Sequence, residues 1–217
     1  SLRSQGGDNV RDLAARFAQN AENNRLLARS YLLKGKIFRK QQLYDLSGRE
    51  LDRALQLSQN LDNSILAARI QREQGITHRE NEKYREAVAE LNSALDRYES
   101  AGRTIDIAHT HYELGVTYFI QQQLTEAQEH LNEARRNYRR LDYSRGMGKS
   151  IRKLAELYQL KGSNSQALSE YRTALSLGEE FDYNELIIHA HLNMGKIYTN
   201  RGTFEPARNH LQDALEL

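Results

Sequence analysis

The sequence has no cysteine, no tryptophan and one proline among 217 residues. Without thiols there can be no disulfides, thiolate zinc sites or cysteine nucleophiles, although the compartment is left open. Scarce proline fits a chain that is helical almost throughout, because proline removes a helix hydrogen bond and clashes with the preceding turn. No apolar run approaches the roughly 20 residues a helix needs to span a bilayer. No membrane partner is therefore expected. Ser1 onward is polar and reads as no secretory leader. The net charge is only +2, too small for the broad basic field of a nucleic-acid binder. Hydrophobic residues make up 39% and charged residues 28%. That is polar for a compact globule and suits a one-dimensional stack, whose surface-to-volume ratio stays high as it grows. A cytoplasmic setting is expected, with a periplasmic segment of a sensor as the other possibility. The pattern stops in mid-repeat at Leu217, so the chain is expected to be a piece of a longer protein.

What is present is a repeat of 40 residues. Small residues recur at Gly35, Gly75, Gly115, Ala155 and Gly195. A second small column holds Ser47, Ala87, Ala127, Ala167 and Ala207, and an alanine column holds Ala54, Ala94, Ala134, Ala174 and Ala214. Bulky residues stand at Leu51, Leu91, Leu131, Tyr171 and Leu211, and rings at Phe38, His78, Tyr118, Tyr158 and Tyr198. No insertion is needed to align them. Within a unit the apolar positions fall at helical spacing, as in Leu114 and Tyr118, then Ala127, Leu131, Ala134 and Tyr138. Small residues let two helix backbones approach, and the rings and leucines fill the space beside them. One such hairpin leaves apolar surface bare and must stack on its neighbours.

The turn residues agree with this division. Ser64, Thr104, Ser144 and Asn184 are expected as N-caps of the first helix of each pair. Asp62, Gly102, Asp142 and Asp182 mark the turns before them, and Gly162 and Gly202 the turns inside the last two hairpins. Ser163 with Gln166 reads as a capping box, and Pro206 sits in the first turn of its helix, where proline is tolerated. The expected organisation is a disordered lead over 1–7 and a partial repeat helix over 8–23. Five repeats follow at 24–63, 64–103, 104–143, 144–183 and 184–217, the last truncated. First helices are expected near 24–40, 64–81, 104–121, 144–161 and 184–201.

Leu114-Gly115-Val116-Thr117-Tyr118 with Ala127, Leu131 and Ala134 resembles the tetratricopeptide repeat signature. Met194-Gly195-Lys196-Ile197-Tyr198 with Phe204, Ala207, Leu211 and Ala214 resembles it again. The usual period of that family is 34 residues. A period of 40 is similar to the longer-helix variants of kinesin light chains and of bacterial signalling and regulatory arrays. The resemblance implies an all-α, right-handed superhelical solenoid of helix-turn-helix repeats. The first helix of each pair would line a concave groove that takes peptides. The implied groove residues are Arg29, Lys36, Arg69, Arg72, Tyr112, Val116, Phe119, Lys149, Arg152 and Lys196.

That wall reads as basic, then apolar and aromatic, then basic. It suits an acidic, partly apolar segment, with Arg and Lys pairing carboxylates and Tyr112 and Phe119 anchoring an apolar side chain. Tyr112 and Phe119 lie outside the packing columns, which predicts exposure. A faithful carboxylate clamp is not expected, because Ile76 and Val116 stand where clamps need polar residues. No metal or cofactor is expected: His109 with His111, and His189 with His191, are two apart and point about 200° apart on a helix. No phosphate loop, Gly-x-Ser-x-Gly or His-Glu-x-x-His is present, so no enzyme is expected. Arg135, Arg136, Arg139, Arg140 and Arg145 cluster at a helix end, where cations suit the dipole, and carry no RNA-reading code. The expected function is a non-catalytic protein–protein interaction scaffold. The alternatives are a sensor or regulatory segment of a larger protein, and self-association through Leu211, Leu215 and Leu217 at the open end.

Overall fold

The computed structural model describes the backbone of residues 2–61 and 64–217, and the side chains of residue 16 and of 19–59, 61 and 64–217. Among the described residues it contains ten helices and no strand. They are α1 (Leu2–Lys40), α2 (Tyr44–Asn60), α3 (Ser64–Glu80), α4 (Tyr84–Ser100), α5 (Thr104–Ile120), α6 (Leu124–Arg140), α7 (Ser144–Leu160), α8 (Asn164–Glu180), α9 (Asn184–Asn200) and α10 (Phe204–Leu215). Consecutive helices pack as hairpins, and the hairpins form two compact units, Ser1–Gly102 and Arg103–Leu217.

The first helix differs from the expected division. Residues 8–23 and 24–40 are one helix, and α1 takes in residues 2–7 as well. The expected break between residues 23 and 24 does not form. An ion pair from Arg25 to Glu22 at 2.6 Å runs across that point, and a hydrogen bond from Gln19 to Asn23 at 3.2 Å leads up to it; both support helical continuation. Such i,i+3 and i,i+4 pairs form only on continuous helix.

The connections are closed by the backbone rather than by side-chain caps. Ser64, Thr104, Ser144 and Asn184 are the first residues of their helices, one position past the cap. Where α5, α7 and α9 begin, the caps are Arg103, Tyr143 and Tyr183, and none makes a side-chain capping bond. Ser163 does cap α8 by position, but makes no such bond either, so the capping box does not form. Instead α1 and α3 to α9 are each followed by a left-handed residue. Gln42, Glu82, Gln122, Asp142 and Asp182 have φ between 49° and 61°, and Gly102, Gly162 and Gly202 have φ of 63° to 73°. The amide after the left-handed residue reaches back five residues, as in Leu43 to the Phe38 carbonyl at 2.9 Å and Tyr143 to the Tyr138 carbonyl at 2.9 Å. This Schellman closure satisfies the orphan carbonyls of one helix and fills the three residues that separate it from the next. Asp62 lies outside the described residues.

The repeat columns are the packing contacts. A Cβ on Gly35, Gly75, Gly115 or Gly195 would stand 2.6–2.7 Å from the Cγ of Leu51, Leu91, Leu131 or Leu211. Only glycine lets the second helix sit this close. The fourth hairpin changes both partners at once, to Ala155 and Tyr171, each fully buried. A flat ring leaves room for the extra methyl where a branched leucine does not. Ala54, Ala94 and Ala134 are fully buried, Ala174 nearly so. In the first unit, Ala28, Leu32, Leu51, Ala54, Leu66 and Ile70 form one core cluster. In the second, Ile151, Ala155, Tyr171, Ala190 and Met194 belong to another.

Candidate binding face

In the second unit α5 packs along α7, and α7 along α9, so the first helices of three hairpins make one face. Side chains cross this face from helix to helix. Lys153 Nζ lies 4.8 Å from the centre of the Phe119 ring. The Arg152 guanidinium lies beside Tyr112 and stands 3.9 Å from Glu185. Glu156 meets His189 at 3.3 Å and also pairs with Lys153. Burial would raise the Glu156 carboxyl, but hydrogen bonds from His189 and Lys153 outweigh it and hold the group at about 2. Burial, with Glu156 nearby, pushes the Tyr171 phenol up.

The residues expected to line a groove divide into two groups. Tyr112 and Phe119 are half-buried and pack against Leu131, Leu154 and their neighbours, so the predicted exposure of these rings is corrected. Sequence columns hid this because the two rings join a cluster shared by two hairpins, with Leu131 from their own and Leu154 from the next. Val116 is also half-buried, Lys149 and Lys196 are exposed, and Arg152 is half-buried. Among the described residues Lys149 and Lys196 have no carboxylate partner, and Arg152 has only the distant Glu185, itself mostly exposed. Leu192 and Ile120 add partly exposed apolar surface.

In the first unit the basic wall is largely engaged. Lys36 pairs with Glu73 at 3.0 Å, and Arg39 reaches Glu73 at 3.5 Å and Glu80 at 2.6 Å. Arg72 lies over the Tyr98 ring at 5.7 Å. Arg29 is exposed and Arg69 half-buried. Ile76 is buried. Elsewhere, Arg135 is held by Glu170 and Arg136 by Glu133. At the end of the chain Leu215 and Leu217 are exposed, whereas Leu211 is half-buried against the Gly195 backbone.

Sequence reasoning missed one constellation, away from this face. His111 on α5 and His130 on α6 bring their Nδ1 atoms to 2.9 Å, and His191 on α9 and His210 on α10 to 3.0 Å. The partner of each histidine is on the other helix of its hairpin, 19 residues on, not two residues away on its own helix. That spacing is the signal that could have found them: it also separates the glycine and alanine columns, and Gln71 and Glu90 bond at the same two positions of the second repeat. His130 stacks on Tyr118 at 5.4 Å and 11°, and His210 on Tyr198 at 5.6 Å and 7°. Burial, with His130 adjacent, lowers His111 to about 4; burial also lowers His130 and His210.

Comparisons agree with the geometry. The tetratricopeptide repeat model matches residues 26–100, 106–180 and 148–217. A sequence search of curated proteins finds no match. Among solved structures, BtubC (BKLC) from P. vanneervenii superposes with a TM-score of 0.78 at 16% identity, covering 94% of this chain and 88% of that one. The nearly identical TPR-like repeats of a Podosopora anserina kinesin light chain give 0.74 at 16% identity, covering 89% and 94%. A Rap protein complexed with Competence and Sporulation Factor gives 0.71 at 11% identity, covering 91% of this chain and 64% of that one. Among the described residues no helix is long and apolar enough to cross a membrane. With its hairpins, its columns and a family model spanning most of its length, the chain belongs to the tetratricopeptide repeat family.

Proposed function

We propose that this chain is a non-catalytic interaction scaffold whose α5–α7–α9 face receives an acidic, partly apolar segment of another protein. The observation that carries the reading is the pair of exposed cations, Lys149 and Lys196, which lack a carboxylate partner among the described residues. Arg152 lies beside Tyr112 and faces a Glu185 that stands 3.9 Å away, so an incoming carboxylate can take the place of Glu185. Charge-assisted bonds of that kind are stronger than neutral ones. Apolar side chains of the segment would meet Val116, Ile120 and Leu192. Because stacked hairpins hold these groups in place, little ordering entropy is lost on the scaffold side. The superposed Rap protein, complexed with Competence and Sporulation Factor, shows that a chain of this fold can be found with a bound factor. The first unit supports the reading by contrast: its Lys36 and Arg39 already face Glu73 and Glu80.

Selection from a random peptide display library tests this. The wild type should enrich acidic peptides with an apolar residue, and Lys149→Glu with Lys196→Glu should lose them. Enrichment without charge bias, or equal enrichment on the variant, would refute it.

A further inference from the structure

The histidine pair of the last hairpin has a third donor within reach. His191 Nδ1 lies 3.0 Å from His210 Nδ1 and 3.3 Å from Asp213 Oδ2. The three ligand atoms all fall within 4.8 Å of one another. Zn–N and Zn–O bonds of about 2.0–2.2 Å in a tetrahedron set ligands roughly 3.4 Å apart. Two of the three donor spacings therefore already stand near the value one ion requires, and the third is no more than 4.8 Å.

Their positions are fixed by the packing of the hairpin. His210 and Asp213 are one turn apart on α10 and share a face. His191 comes from α9, which is locked to α10 where Gly195 meets Leu211. The His210 ring is held flat on Tyr198, a residue of the repeated ring column. Ligand rings held by packing need little reordering when an ion arrives. An imidazole–imidazole hydrogen bond alone would explain two of the three groups. It does not require a carboxylate at Asp213, which stands 3.3 Å from His191.

The third hairpin supplies a built-in comparison. His111, His130 and Tyr118 repeat the arrangement. There, however, the equivalent carboxylate, Glu133, is taken by Arg136. The residue equivalent to Arg136 in the last hairpin is Glu216, which accepts a hydrogen bond from Gln212 at 3.0 Å and leaves Asp213 alone.

We propose that His191, His210 and Asp213 form a binding site for one borderline divalent cation of the zinc class, with a fourth coordination position open. Two imidazoles and one carboxylate are the donor set such ions take, and an open position is filled by water or by a ligand atom of a bound partner. The site lies on the α9–α10 hairpin and does not depend on the docking face proposed above.

Calorimetric titration of the metal-stripped 217-residue chain with Zn²⁺ at neutral pH tests it. One saturable site per chain is expected. His210→Gln and Asp213→Asn should each weaken binding at least about tenfold, with helicity by circular dichroism unchanged. His130→Gln should leave it intact. Co²⁺ in place of Zn²⁺ should give a visible spectrum of nitrogen and oxygen coordination that His210→Gln removes. Absence of saturable binding would overturn the proposal. So would binding that survives His210→Gln, or that His130→Gln abolishes.

Discussion

The third and fifth hairpins share a backbone, a stacked tyrosine and a facing pair of histidines, yet their carboxylates do different things. In the third, Glu133 is bound by Arg136; in the fifth, Asp213 is left to His191. One residue, one turn further along the second helix, makes the difference. The lesson is that the repeated columns fix where side chains can meet, whereas chemistry is decided at the positions that do not repeat.

The largest expected effect breaks the shared backbone. Leu131 is fully buried against Gly115, and Leu131→Ala should cost about 3–5 kcal/mol in urea unfolding. Leu211→Ala, at the equivalent but half-buried position, should cost clearly less. Equal losses would mean that the last hairpin is as tightly packed as the third. Next comes Gly115→Ala, whose methyl would stand 2.7 Å from Leu131 Cγ. Overpacking of this kind costs about 1–3 kcal/mol. Adding Leu131→Tyr copies the natural Ala155–Tyr171 pair and should recover most of the loss; a double variant no more stable than the single one would show that the two columns do not compensate.

A smaller effect is expected from exchanging the deciding residue. Glu216→Arg should draw Asp213 away and lower Zn²⁺ affinity about tenfold, and Arg136→Glu should raise it at the His111–His130 pair. Titration of both variants checks the direction. The smallest effect concerns acid. His111 takes its proton near 4 in the folded chain rather than at 6.5. Between those values the unfolded chain binds more protons, so stability held above pH 6.5 is lost as pH falls toward 4. His130, Glu133 and Arg136 are the charged or titratable groups around it. His111→Gln should flatten that slope in metal-free melts at about pH 7 and about pH 5.

Much of the fold was legible in the sequence because packing repeats. The 40-residue columns placed the starts of α3, α5, α7 and α9, and the glycine and leucine that meet inside four of the five hairpins. Helix ends were less legible. Gln42, Glu82 and Gln122 adopt left-handed φ without the glycine or asparagine that advertises it. The caps were misread by one residue because a hydroxyl at the first helical position looks, in sequence, like one at the cap. A break between residues 23 and 24 was expected by extending the register backwards, but the helix runs on through the Glu22–Arg25 pair.

The candidate site was less legible still. Basic residues on first helices could be placed on a face from helical spacing. Whether each one was free depended on carboxylates 34 to 41 residues away, as Lys36 and Arg39 show with Glu73 and Glu80. Tyr112 and Phe119 were read as an exposed floor because they stand outside the columns, but the cluster around Leu131 and Leu154 leaves both half-buried. The facing histidines escaped a search along single helices, since their pairing follows the 19-residue step across a hairpin.

The central claim is that the first-helix face of the second unit is where a partner docks. Amide chemical shifts of the isotopically labelled chain, followed during titration with a display-selected acidic peptide, test it most directly. The account predicts that perturbations gather at Val116, Lys149, Arg152, Leu192 and Lys196 and vanish in Lys149→Glu with Lys196→Glu. Perturbations centred on α6, α8 and α10, unchanged by that double substitution, would contradict it.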